Sequence, residues 1–343
     1  MFKYELQNAA DKLVKEMFQI KRDETVVITA DTCSYMDVVD AVASSVTAAG
    51  AKPMVITMKT PRGVGKAADP DLPIEALSAV LTKADVWMEF NQQWLLYSTP
   101  FANAMRDNKD LRYICLVDID AAVFDRIIGK VDFQTLKTFM LSVKEKHLNA
   151  KEMRVTTPAG TDVTFELEPK NYLQADYGDA STPGMWMAPG QLNVVPRWST
   201  INGNIVFDGT VSPPFGRLLN EPIKLVVEGG VIQSVEGGSE AAQYKAWLES
   251  FDDPGMFKMA HMAYGFNPGA KLTGNVVEDE RVWGCTEWGI GYVSPLDAPP
   301  DGQDAKSHTD GICLNTSVWL DDEQIMENGR IVCDELAALS PVK

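Results

Sequence analysis

The sequence predicts an α/β and α+β protein: an open α/β domain over residues 1–148, then a β-rich α+β domain over residues 149–343. Three observations carry that division. Short β-branched runs alternate with helical stretches through the first part, as parallel strands joined by helical crossovers do. Past residue 150 hairpin signals replace that alternation. The length of 343 residues suits two domains of roughly 150 residues each.

The elements follow in order. Leu6, Ala10, Leu13, Met17 and Phe18 recur at helical spacing. Thr25 to Thr29 reads as a buried strand, Met36 to Ala49 as a helix that Gly50 ends, and Pro53 to Thr57 as a second strand. Pro73 to Leu81 is helical, Asp85 to Phe90 and Tyr113 to Val117 are strands, and Phe133 to Lys146 is a helix. Met153 to Thr157 and Val163 to Leu167 flank the turn Pro158-Ala159-Gly160-Thr161. A second hairpin joins Ile223–Val227 to Val231–Val235 through Glu228-Gly229-Gly230, Ala241 to Phe251 is a helix, and Trp319 to Met326 is a late hairpin.

Composition excludes several classes. Lys and Arg total 31 against 48 Asp and Glu, a formal net charge of −17. Nucleic acid and anionic membrane surfaces demand clustered positive charge, so neither is expected as a partner. No apolar run is long enough to span a bilayer. Glu5 and Asp11 make the N-terminal segment an amphipathic helix rather than a signal peptide. The cysteines, at 33, 115, 285, 313 and 333, are scattered and form no CxxC pair, so a reduced, cytoplasmic protein is expected. The Gly-rich run Arg62-Gly63-Val64-Gly65-Lys66 is no phosphate loop, because Thr60 and Ala67 stand where Gly and Ser or Thr are needed. It reads as a plain mobile loop.

Histidine occurs three times, at 147, 261 and 308. His147, in Lys144-Glu145-Lys146-His147, reads as a solvated cap at a helix end. His308 and Asp310 form His-x-Asp; on a strand both side chains share one face. They then supply two of the three ligands of the facial set that holds non-haem Fe(II) and leaves positions open. His261, in the apolar stretch Met259 to Gly265, is the candidate third ligand. A hydrogen-bonded surface pair and a satisfied core histidine are the plainer alternatives. The run Glu278-Asp279-Glu280 reads as a solvated or structural turn.

These residues sit in blocks that resemble a known superfamily. Gly265-Phe266-Asn267-Pro268-Gly269-Ala270, Leu272-Thr273-Gly274-Asn275, Glu278-Asp279-Glu280, His308-x-Asp310-Gly311 and Asn202-Gly203-Asn204-Ile205-Val206-Phe207-Asp208-Gly209 are similar to blocks of the aminopeptidase T family. The likeness covers the second half and reaches the first only in its α/β alternation. That family holds two metal ions. Where it has metal-binding glutamates this chain has Gln191 and His261, and where it has its first histidine this chain has Glu287. The resemblance therefore implies one metal rather than two.

His261 with Gly265 and Pro268, and the late His308-x-Asp310, resemble the related 2,5-dihydroxypyridine 5,6-dioxygenase family, whose single Fe(II) is held by two histidines and an aspartate. That resemblance implies His261, His308 and Asp310 as ligands of one Fe(II) per chain. It implies an extradiol-type dioxygenase whose partners are O2 and a small hydroxylated aromatic or N-heteroaromatic ring such as a dihydroxypyridine. A metal-dependent aminopeptidase or related hydrolase using Zn or Co is the alternative. The family has Leu-Leu-His-Ser where this chain has Leu95-Leu96-Tyr97-Ser98, so Tyr97 is the candidate catalytic residue in place of a histidine. Glu287 is a second candidate, as a ligand or as the group that orients a ligand histidine. Trp186 and Gln191 are candidates for substrate contact; a second family histidine near Trp186 is absent. A homo-oligomer is expected, with the metal in an interdomain cleft and Tyr97 lining the side opposite the ligands.

Overall fold

The computed structural model describes residues 3–342. It has two compact units, one of Met1–Phe133 with Asp176–Pro189 and the other of Gln134–Ala175 with Gly190–Lys343.

The first unit is a parallel sheet with helical crossovers. Strands β1 (Thr25–Asp31), β2 (Lys52–Met58), β3 (Val86–Glu89) and β4 (Arg112–Cys115) stand in the order β2-β1-β3-β4. A fifth strand, Gly184–Met187, pairs in parallel with β4; in chain order it is β8. Helices α1 (Lys3–Lys12), α2 (Met36–Ala48), α3 (Ile74–Leu81), α4 (Thr99–Asp107) and α5 (Ala121–Phe124) fill the connections. The central strands are buried throughout, as the continuous apolar run Val26-Val27-Ile28 requires of a sheet covered on both faces. Ser98 caps α4 by accepting from the Phe101 amide, and Pro100 fits its first turn, where no amide is needed.

The direction of strand order reverses between β1 and β3, the place where open α/β sheets take ligands. The loop Asn91–Ser98 leaves β3 there. It is held by Glu89, whose carboxylate accepts from the Leu95 amide at 2.5 Å and from the Tyr113 hydroxyl at 2.5 Å. Burial pushes the Glu89 carboxyl up to about 8 against those two bonds. In the run from Arg62 to Lys66 the Arg62 guanidinium makes a two-point pair with Asp71 at 2.8 and 2.9 Å, and Gly65 donates to the Trp94 carbonyl.

The second unit opens with α6 (Phe133–Asn149) and contains two antiparallel sheets. One is built from β5 (Glu152–Thr156), β6 (Asp162–Glu166), β10 (Asn202–Phe207), β12 (Ile223–Glu228), β13 (Val231–Gly237), β17 (Ser317–Leu320), β18 (Glu323–Glu327) and β19 (Arg330–Ile331). The other runs β11-β16-β15-β14-β9-β7, with β7 (Leu173–Asp176), β9 (Gln191–Val194), β11 (Val211–Ser212), β14 (Met259–Gly265), β15 (Thr286–Val293) and β16 (Gln303–Cys313). Helices α7 (Ser239–Glu249), α8 (Val276–Asp279) and α9 (Asp334–Leu339) complete it.

Alternation sorts the second sheet into two faces. Met262 pairs with Trp288 and Tyr264 with Thr286, so these residues share one face. That face is packed: Trp288 is fully buried edge-on to Phe165 of β6, with ring centres 5.8 Å apart. Phe139 of α6 lies 5.1 Å from Phe266 and 5.3 Å from Trp283. His147 belongs to the same packing, which corrects its reading as a solvated cap. α6 runs on to Asn149, and the ring is 3% exposed with Nε2 2.9 Å from the Tyr264 hydroxyl. Burial lowers its pKa to about 3, so it is neutral. No helix among the described residues is long and apolar enough to cross a membrane.

Candidate metal centre

The other face of the second sheet carries the chemistry. β14, β15 and β16 are consecutive, and Ala263 pairs with Glu287, Gly289 with Asp310 and Gly291 with His308. His308 and Asp310, two residues apart on β16, point the same way, as expected of a strand. His261 joins them from β14, where an irregularity between Met259 and Met262 re-aims the chain.

The geometry is tight. His308 Nε2 lies 2.9 Å from Asp310 Oδ1, and His261 Nε2 lies 3.7 Å from the same oxygen. The two imidazoles are nearly parallel, with centres 5.1 Å apart. One donor atom from each of the three residues falls within 4.8 Å of the others, the one such group of His, Cys, Asp or Glu found among the described residues.

Hydrogen bonding says what the cluster needs. His308 Nδ1 donates to the Tyr292 carbonyl at 2.8 Å, which aims the Nε2 lone pair at the Asp310 carboxylate. Two acceptors then face each other, and only a shared proton or a cation resolves the contact. Burial pulls the His308 pKa down, but the Asp310 charge and hydrogen bond outweigh it and raise the pKa above its ordinary value. The same pairing keeps Asp310 below the usual carboxylate range despite its burial. His261 is lowered to about 4, by burial first and by His308 second, so it is a neutral donor. Glu287, wholly buried, places Oε2 3.1 Å from His261 Nε2, while its Oε1 is buried without a partner. Burial, then Asp310 and Glu280, push its carboxyl well above the usual range. Two imidazole nitrogens, one ionised carboxylate and an orphaned buried oxygen fit a divalent cation of the class that takes mixed nitrogen and oxygen ligands.

A second polar group adjoins this one. Arg281, wholly buried, donates to Glu280 Oε2 at 2.9 Å and to Gln191 Oε1 at 2.6 Å, and Gln191 Nε2 donates to Glu280 Oε2 at 3.1 Å. Burial raises the Glu280 pKa, with Arg281 opposing and Asp310 adding to the rise. The acidic run is therefore not solvated. Glu278 and Asp279 are buried and serve as acceptors: Asp279 takes the Thr273 amide at 2.7 Å, and Glu278 the Thr273 hydroxyl at 3.0 Å and the Lys271 amide at 3.1 Å. Asn275 caps α8 through the Glu278 amide.

His261, His308, Asp310, Glu287 and Gln191 thus lie in one unit. Tyr97 and Trp186 belong to the other. Tyr97 stands in the left-handed region, with φ 66°, edge-on to Phe101 at 5.8 Å. The Trp186 indole donates to the Thr182 carbonyl at 2.9 Å. Reading the sequence missed Arg281 and Gly289. The period-two glycines in Glu287-Trp288-Gly289-Ile290-Gly291 were the available signal for the second.

Known proteins resemble this chain in both sequence and fold. A family described as NicX, 2,5-dihydroxypyridine 5,6-dioxygenase, matches residues 8–333. A curated 2,5-dihydroxypyridine 5,6-dioxygenase of Pseudomonas putida is 27% identical over 195 residues, 54% of this chain and 55% of that protein. The match thus spans about half the length of that relative. The structure of 2,5-dihydroxypyridine dioxygenase from Pseudomonas putida KT2440 superposes with a TM-score of 0.80 at 20% identity, covering 98% of this chain and 99% of that one. Wild-type AmpT from Thermus thermophilus superposes at 0.69 with 12% identity, covering 97% and 100%. These two likenesses establish the fold, which is shared by the dioxygenase and the aminopeptidase. Matched from residue 8 to residue 333, the chain belongs to the 2,5-dihydroxypyridine 5,6-dioxygenase family.

Proposed function

We propose that the protein is a mononuclear Fe(II) ring-cleaving dioxygenase of the extradiol type, acting on a small hydroxylated N-heteroaromatic of the dihydroxypyridine class. The observation that carries this reading is the convergence of His261, His308 and Asp310 on one point. Such a set holds non-haem Fe(II) by one face and leaves the remaining positions open. Bound there, the ion would supply adjacent positions for a ring hydroxyl and O2 and a path for electrons between them.

The chain's own groups prepare that site. Asp310 supplies the negative charge, and the Tyr292 carbonyl fixes His308 in the tautomer whose Nε2 is free to bind. Glu287 places a buried carboxyl 3.1 Å from His261 Nε2, the nitrogen that also faces Asp310, so it stands at the centre itself, within reach of a bound cation. Gln191 and Arg281 hold Glu280 beside the centre. A hydrolase with a second metal would need an anionic ligand at residue 191. Gln191 is neutral, and both ends of its amide are engaged with Glu280 and with the cationic Arg281.

Tyr97 is assigned the hydrogen bond to the substrate. Its phenol hydroxyl is assigned as a donor to a substrate oxygen. Trp186 is assigned a stacking contact with the ring. Tyr97→Phe is expected to lower kcat/KM roughly tenfold, the worth of one hydrogen bond of about 1.4 kcal/mol. Unchanged steady-state kinetics would remove Tyr97 from the mechanism.

The reading as a whole is tested by loading metal-free protein with Fe(II) under anaerobic conditions and following O2 uptake. Uptake is expected with a dihydroxypyridine. Absence of uptake across dihydroxypyridine, gentisate-like and catechol-like rings would overturn it.

A further inference from the structure

The ligands come from strands that are not neighbours. β15 lies between β14 and β16, and two strand spacings place the flanking backbones roughly 9.5 Å apart. Yet His261 Nε2 reaches to 3.7 Å from Asp310 Oδ1. The His261 side chain must therefore lean across the middle strand, through the space that a side chain on β15 would fill.

That space belongs to Gly289, the residue paired with Asp310. A Cβ added there would have His261 Cε1, Nε2 and Nδ1 as its three nearest neighbours, at 2.7, 2.8 and 2.9 Å. Contacts below 3.0 Å force something to move. Gly291, two residues on, has φ +101° and a backbone carbonyl 2.5 Å from its missing Cβ, so its own conformation demands glycine. Gly289 is not among the residues with positive φ. Gly311 on β16 meets a different neighbour: a Cβ there would strike the Phe207 ring at 2.4 Å on the packed face of the sheet.

We infer that Gly289 is a positioning residue of the metal centre: its missing side chain admits the His261 imidazole across β15, so that ligands from β14 and β16 meet over the strand between them. The irregularity in β14 turns His261 toward β15, and Gly289 gives it room. The inference rests on the metal reading above.

The test is anaerobic calorimetric titration of Fe(II) into the metal-free full-length chain, with the melting temperature of each metal-free variant as a second readout. Gly289→Ala is expected to weaken Fe(II) binding by about 10- to 100-fold, the usual cost of disturbing a ligand's support, with little change in melting temperature. Gly311→Ala is expected to do the reverse, lowering the melting temperature and leaving the Fe(II) affinity within a few-fold. In a His261→Ala background Gly289→Ala is expected to cost no melting temperature, since the added methyl then has no imidazole to strike. Should Gly289→Ala alone fail to fold, the double variant with His261→Ala is expected to fold again. Equal Fe(II) affinity of Gly289→Ala and the unaltered protein would overturn the role of Gly289 alone. So would a double variant that melts below His261→Ala alone or does not fold. No Fe(II) uptake by the unaltered protein would instead overturn the metal reading.

Discussion

Replacing His308 by alanine is expected to empty the centre of metal and abolish ring cleavage. The variant loses a ligand and strips Asp310 of its partner at 2.9 Å. It also leaves a buried carboxylate beside Glu287 and Glu280, both of which already repel charge. Breaking a buried charged pair from one side costs roughly 3–5 kcal/mol of stability in the metal-free protein, and the lost imidazole removes one of three ligands from the iron. Iron measured by mass spectrometry should fall from one per chain to less than a tenth. The loss should extend to the melting temperature: Fe(II) bound to the folded state alone should stabilise the unaltered protein, and His308→Ala should show no such gain when Fe(II) is added. A variant that keeps a full equivalent of iron would contradict the ligand assignment.

His147→Gln is expected to make the protein more resistant to acid. The buried imidazole has its pKa lowered to about 3, against about 6.5 when the chain is unfolded. Below pH 6.5 the unfolded chain takes up a proton that the folded one refuses, so stability falls as pH drops from 6.5 toward 3. Glutamine keeps a polar partner for the Tyr264 hydroxyl and has no charge to acquire. Urea unfolding at pH 7 should then find the two proteins within about 1 kcal/mol, the worth of one altered hydrogen bond. At pH 4 the variant should lead by roughly 3 kcal/mol, from 2.5 units of pH at about 1.4 kcal/mol each. A difference in stability that does not change between the two pH values would show that His147 is not held neutral by burial. Because it lies on the packed face of the sheet, the variant should also keep its iron, which separates this effect from that of His308→Ala.

The contrast between these two histidines shows what the chain makes legible. The parallel strands β1, β3 and β4 could be read directly, because a strand buried on both faces needs a continuous apolar run, as Val26-Val27-Ile28 supplies, while the edge strand β2 showed itself through Val55 to Thr57. The hairpins at 153–167 and 223–235 carry their turns in Gly160 and Gly229-Gly230. His308-x-Asp310 announced itself through spacing alone. His147 did not, because its neighbours Lys144, Glu145 and Lys146 are polar, and its burial depends on Tyr264, far along the chain. Glu278 and Asp279 were likewise opaque. Nothing local says that the amides of Lys271, Thr273 and Gly274 would need acceptors from the following helix. β8 carries no mark of its sheet, since its pairing with β4 joins residues about seventy positions apart. β15 was the hardest element to see. Its alternation of Glu287, Gly289 and Gly291 with Trp288 and Ile290 puts glycines where a strand's β-branched residues are expected.

A ring-cleaving dioxygenase splits O2 and places both of its atoms in one ring-opened product. Iron-loaded protein turning over a dihydroxypyridine under 18O2 tests it directly, with the mass of the product as the readout. Two labelled oxygens per product molecule, at one O2 consumed per ring opened, is the expected result. One labelled oxygen or none, with the balance drawn from water, would contradict a dioxygenase and return the site to hydroxylation or hydrolysis.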